Sequence, residues 1–80
     1  MPVLLHLEGF RFFFYSREGV PLEPPHVHIR RGNCEAKLWL TPIVRVSKNK
    51  RFDPRTLKML VSITEAHRVE FEEKWHVFFT

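Results

Sequence analysis

The chain has 80 residues and a single cysteine, Cys34, which leaves room for one domain over residues 1–80 and excludes an intrachain disulfide. Thirteen Lys and Arg against nine Asp and Glu give a net charge of +4, and no stretch approaches the roughly 20 apolar residues of a membrane-spanning helix. The opening MPVLLHLEGF has no basic region and only a short apolar run, so no signal peptide is expected, and a lone thiol suits a reducing, cytoplasmic setting.

The first extended segment runs from Val3 to Tyr15 and is interrupted at Glu8-Gly9. In its second half Phe10, Phe12 and Phe14 share one strand face while Arg11, Phe13 and Tyr15 share the other. Phe13 implies that the second face is partly covered. SREGVPLEPP then reads as a turn or loop, broken by Gly19, Pro21, Pro24 and Pro25.

A second strand is expected from His26 to Arg30, with Pro24-Pro25 starting it from outside the ladder. Alternation sends Val27 and Ile29 to the core and His26, His28 and Arg30 to the opposite, half-exposed face. Gly32-Asn33 reads as a two-residue hairpin turn, since both residues tolerate positive φ. A third strand follows from about Cys34 to Leu40, bent or ended by Thr41-Pro42. Ile43, Val44 and Val46 continue as a further strand, and SKNKR reads as a polar turn.

Asp53-Pro54 is a strong helix start, because Asp accepts from free N–H groups and Pro at the first helical position loses nothing. Leu57, Leu60, Val61, Thr64, His67, Phe71, Trp75 and Phe78 then recur at three- and four-residue spacing as one apolar stripe. A single helix over 54–79 would be roughly 39 Å long, in a domain whose radius of gyration should be about 12 Å. Either it breaks, or its end projects and packs on the N-terminal strand or on a second copy as a homodimer, because exposed Trp75, Phe78 and Phe79 would form a patch that monomers avoid. The expected fold is α+β: a small, mostly antiparallel sheet of three to five strands with a long C-terminal helix on one face.

Charge is uneven. Residues 30–58 hold nine cations, Arg30, Arg31, Lys37, Arg45, Lys48, Lys50, Arg51, Arg55 and Lys58, against Glu35 and Asp53, whereas residues 65–74 lean acidic. An anionic partner such as RNA suits the basic middle; a solvated surface accounts for it equally well. His26 and His28, with Arg30 to steady negative charge, are candidates for acid–base catalysis on a phosphodiester. Tyr15, Lys37 and Trp39 are candidate binding residues, Tyr15 by orienting a group or stacking on a base. As metal ligands His26 and His28 need a third partner, for which Glu23, His6, Cys34, Glu35 and His67 compete, none at a diagnostic spacing. The plain alternative is that both histidines bond to neighbouring strands or loop carbonyls. No cofactor motif is present.

Gly9-Phe10, PPHVH, AKLWLTPIVRV, Asn49 with Phe52, and a helix ending EAHRVEFEEKW resemble the small bacterial "domain of unknown function forty-one-sixty" family over nearly the whole chain. Pro24-Pro25-His26-Val27-His28 is the most specific part. The resemblance implies a stand-alone protein whose gene neighbours that of another small protein, in a pair suggested to be a toxin–antitoxin module. It therefore implies a protein partner and no reaction. Relatives often carry a glycine before the phenylalanine that precedes the helix. Here that position is Arg51, so the turn either avoids positive φ or accepts strain.

Overall fold

The computed structural model describes residues 2–17 and 23–79. Part of the loop expected at SREGVPLEPP, residues 18–22, lies outside them. Five strands, β1 (Val3–Leu7), β2 (Phe10–Phe13), β3 (His26–Arg31), β4 (Cys34–Trp39) and β5 (Arg45–Lys50), form one sheet in sequence order, with every neighbouring pair antiparallel. Two helices follow, α1 (Pro54–Ala66) and α2 (Arg68–Phe78). The chain is thus α+β, with five strands and the helices packed on one face of the sheet.

Turn chemistry sets the meander. Glu8 and Gly9 both have positive φ, 51° and 84°, the conformation that lets a two-residue turn follow the right-handed twist of its strands. In the turn between β3 and β4 only Gly32 is positive, at 60°, and Asn33 is not, as in turns whose first central residue alone is left-handed.

The sheet's buried face joins Phe10, Phe12, Val27, Ile29, Ala36 and Leu38 to Leu60 and Phe71 of the helices in one core. Val27 and Ile29 are fully buried, as alternation requires. Phe52, just before α1, packs on Phe10 with tilted rings, centroids 5.9 Å apart.

Of the two alternatives for the C-terminal helix, the chain takes the break, at His67, whose φ/ψ of −105°/10° end α1 and begin α2. Thr64 is the physical reason: its hydroxyl donates 2.8 Å back to the Leu60 carbonyl, a bond that bends helices. His67 then stacks on Phe71 at 5.5 Å. Two helices of 13 and 11 residues fit a molecule whose longest extent is 34 Å. The bend turns Trp75 back onto Phe14, ring centroids 5.1 Å apart, so this end packs on the N-terminal hairpin within the same chain.

The reading of SKNKR as a turn is corrected. Ser47 to Lys50 belong to β5, pairing Lys48 with Lys37, Asn49 with Ala36 and Lys50 with Glu35, and an irregularity near Ser47 keeps Val46 opposite Leu38. An edge strand with little to bury has little apolar alternation to betray it, and its lysines discourage pairing with another chain's edge.

Beyond β5, Asn49 braces the turn into α1: its Nδ2 donates 2.9 Å to the Phe52 carbonyl and its Oδ1 accepts from Phe52 N–H at 3.2 Å. Arg51 inside that turn has φ +74°, so of the two alternatives the chain accepts the strain. Arg51→Gly is expected to raise stability by about 0.5–1 kcal/mol, the left-handed penalty less glycine's extra chain entropy. A thermal midpoint higher by several degrees checks it, and a lower one would mean the arginine side chain contributes more than its backbone strain removes.

Asp53 caps α1, accepting from Thr56 N–H at 2.7 Å, and that bond holds its carboxyl below the usual value of 3.8. Glu70, bonded to Lys74 and His67, is also held below its usual 4.5. A carboxyl depressed on folding adds stability above its unfolded pKa, and this is lost as pH falls through the folded value. The thermal midpoint is therefore expected to fall below about pH 4.5. Asp53→Asn, which still caps, should shallow that fall, and an unchanged pH profile would remove Asp53 from the account.

Candidate functional site

The uncovered face of the sheet carries its polar chemistry in cross-strand rows. Register aligns His6, Arg11, Arg30, Glu35 and Lys50 across all five strands. The next row is Val3, Phe13, His28, Lys37 and Lys48, and a third holds His26, Trp39 and Arg45. Residues directly opposite on one face lie about 5 Å apart. The rows therefore bring six guanidinium or ammonium groups (Arg11, Arg30, Lys37, Arg45, Lys48 and Lys50) onto one face against Glu35.

Of the candidate residues read from the sequence, His6, His26, His28, Arg30, Glu35, Lys37 and Trp39 fall on this face and Tyr15 and Glu23 at its rim, whereas Cys34 packs against the core and His67 lies between the helices. His26 and His28 have the predicted direction yet are buried, at 0% and 7% exposure, instead of half-exposed. The reason is aromatic cover. Trp75 and Trp39 approach the His26 ring at 4.8 and 5.5 Å, and His26 Nδ1 lies 3.0 Å from the Pro24 carbonyl. Phe13 stacks on His28 at 5.6 Å, and Tyr15 meets it edge-on at 4.5 Å. His26 is thus an internal residue, whereas His28 borders the open face.

His28, Tyr15 and Glu35 form one cluster. The Tyr15 hydroxyl donates to the Glu35 carboxylate at 3.0 and 3.2 Å, and His28 Nδ1 lies 3.6 Å from the same carboxylate. A carboxylate beside an imidazole fixes its orientation. Lys37 is held between Glu23, at 2.9 Å, and the Trp39 ring, 4.5 Å from its centroid. Glu23 therefore binds Lys37, and it is the lysine, not the His26–His28 pair, that takes the expected metal carboxylate. Among the described residues no group of three His, Cys, Asp or Glu side chains is placed to hold a metal. Arg30 leans on its own turn, Nε to the Gly32 carbonyl at 3.4 Å.

Beside the cluster lies an open groove of about 600 Å³ lined by His28, Glu35, Lys37, Lys48, Asn49 and Lys50. Lys48 and Lys50 form no ion pair among the described residues, so their charge is available to a ligand. Sequence reasoning missed these two as site residues because it placed them in a turn. It weighed Glu35 solely as a metal ligand, and Arg11 and His6 gain their place through register alone. The alternation Lys48-Asn49-Lys50 was the one local signal for a strand there.

Among the described residues no helix is long and apolar enough to cross a membrane. No curated protein and no solved structure matches this chain. The family model "Domain of unknown function (DUF4160)" matches residues 9–76, from the first turn of the sheet to the last turns of α2, and the chain belongs to that family.

Proposed function

We propose that the protein binds RNA along the open face of its sheet. The observation that carries this reading is the register itself: four cations, Lys37, Arg45, Lys48 and Lys50, lie side by side on β4 and β5 next to a groove, on the face opposite α1, where Trp75 of α2 covers His26. A phosphodiester backbone is the common polyanion whose charge spacing suits such a lattice. Trp39, half-buried at the end of the same strand, offers a ring on which a base can stack. Binding is favoured over two-histidine cleavage, because His26 is fully enclosed and an acid–base pair needs both imidazoles within reach of the scissile phosphate. Tyr15 and Glu35 hold His28 in place at the groove's edge.

The test is the salt dependence of binding to a short single-stranded RNA, read by fluorescence anisotropy. Three to four phosphate contacts predict a slope of log affinity on log salt of about −2 to −3, or roughly 20- to 60-fold weaker binding at 200 mM than at 50 mM. Affinity that ignores salt, or no binding at 50 mM, would sink the reading.

A second reading keeps the partner protein implied by the family resemblance. It is favoured by a mostly apolar groove between the start of β1 and the end of α2, lined by Val3, Leu4, Phe14, Val77 and Phe78, in which Val77 and Phe78 remain exposed. Phe78→Ser is expected to abolish co-purification with the small protein encoded beside it. Loss of a dimer by light scattering would instead assign the groove to a second copy.

A further inference from the structure

At one end of the open face a separate cleft of about 320 Å³ lies between the two hairpin turns, lined by His6, Gly9, Arg11, Arg30, Arg31 and Gly32. We propose that this cleft binds a phosphate monoester dianion, and, building on the RNA reading above, that it takes the terminal phosphate of a strand lying along the face.

Three observations converge on it. The first is composition. Arg11, Arg30 and His6 line the cleft from the open face and no carboxylate does, so its two fixed charges exceed what one phosphodiester neutralises and suit a doubly charged terminal group. Guanidinium groups also match phosphate oxygens in paired hydrogen bonds, which an ammonium cannot do.

The second is the register. Arg11 and Arg30 stand directly opposite each other on adjacent strands, and like charges in that position destabilise a sheet. Neither makes an ion pair among the described residues. Arg30's other cross-strand neighbour is Glu35, whose carboxylate is bonded to Tyr15. Packing alone gives no reason for this pair, whereas an anion between the two guanidinium groups does.

The third is pre-positioning. Arg11 is pre-positioned, its guanidinium carbon 5.3 Å from the Phe13 ring centroid, whereas Arg31 lies over Phe10 on the core face, 4.1 Å from its centroid. Such stacking restrains the side chains before a ligand arrives. The cleft meets the lysine groove at the Arg30–Glu35 cross-strand pair, so a strand anchored here by its end runs on towards Lys50 and Lys48.

The experiment has two arms, each with the full chain and with Arg11→Gln and Arg30→Gln variants. In the first, inorganic phosphate and adenosine 5′-monophosphate are titrated at constant ionic strength and followed by backbone amide NMR. Saturable shifts at Gly9, Arg11 and Gly32, weakened at least tenfold in both variants, are expected. Unsaturable shifts, or shifts equal in the variants, overturn the site.

In the second arm one RNA sequence is compared with a 5′-phosphate, a 3′-phosphate and hydroxyl ends. One phosphorylated end should bind about tenfold tighter than the hydroxyl-ended strand, and the ratio should fall to about one in each variant. RNA binding with no preference for either phosphate overturns the terminal-phosphate assignment while leaving the RNA reading intact. Saturable mononucleotide binding without RNA binding supports the cleft as a phosphate-monoester site and removes the RNA reading. Should a glutamine variant fail to fold, Arg11→Lys and Arg30→Lys keep the charge but lose the paired geometry, and are expected to lose the end preference.

Discussion

Trp75→Ala is expected to destabilise the protein by about 3–5 kcal/mol, the usual consequence of removing a large buried aromatic. Trp75 is 2% exposed. It touches Phe14 at 5.1 Å, His26 at 4.8 Å and Phe79 at 4.1 Å, and so ties α2 to the N-terminal hairpin and to the first residue of β3. A small domain has a net stability of only about 5–15 kcal/mol, so the variant should be partly unfolded near 37 °C and its urea midpoint should fall by more than 1 M for a slope near 1–3 kcal/mol/M. The functional corollary is specific. With Trp75 gone, His26 loses one wall, and its ring protons should show solvent-exposed NMR behaviour even at temperatures where the variant stays folded. Trp75→Phe, which retains most of the contact area, should recover about half the loss. A Trp75→Ala variant of near-native stability would show that α2 is held by other contacts and that His26 is not enclosed by it.

The same residues separate what was legible in the sequence from what was not. Strand parity is local, so Val27 and Ile29 inward with His26 and His28 opposite followed from alternation alone, Gly32-Asn33 marked its hairpin turn and Asp53-Pro54 its helix start, whereas Glu8-Gly9 read as an interruption in one extended segment and is the turn of the β1–β2 hairpin. Burial of the second face is not local. His26 is enclosed by Trp75, which is 49 positions away in the chain, and only the break at His67 brings that tryptophan back. The stripe from Leu57 to Phe78 was visible, but a continuous stripe gives no sign of a bend, and the decisive Thr64–Leu60 bond depends on which rotamer packing allows. β5 was read too early, at Ile43, Val44 and Val46, for the opposite reason: it runs from Arg45 to Lys50 with a free outer edge and mostly exposed side chains, so it buries too little to leave a hydrophobic period. The arginine cleft lay beyond reach because it joins residues of two hairpins whose register is set by turns, and Arg11 and Arg30 are 19 positions apart.

Reversing the charge on β5 is the functional counterpart. Lys48→Glu/Lys50→Glu is expected to weaken single-stranded RNA binding more than tenfold at 100 mM salt. The salt slope should fall by about 0.7 × 2, or roughly 1.4, since each lysine accounts for one phosphate contact. Both side chains line the groove, sit opposite Lys37 and Glu35, and form no ion pair among the described residues, so little folding energy is at stake. Glutamate also keeps the β5 edge charged and so preserves its protection against pairing with other chains. Near-native thermal stability is therefore expected, perturbed chiefly where Lys50 opposes Glu35 and like charges would face each other. Lys58→Glu/Arg55→Glu is the control. It makes the same change in net charge on exposed positions of α1, which packs on the other face of the sheet. If RNA responded only to net charge, the two double variants would bind alike. A face that reads phosphate positions requires the β5 variant to lose binding while the α1 variant retains most of it, and equal losses would reduce the cationic rows to a solvated surface.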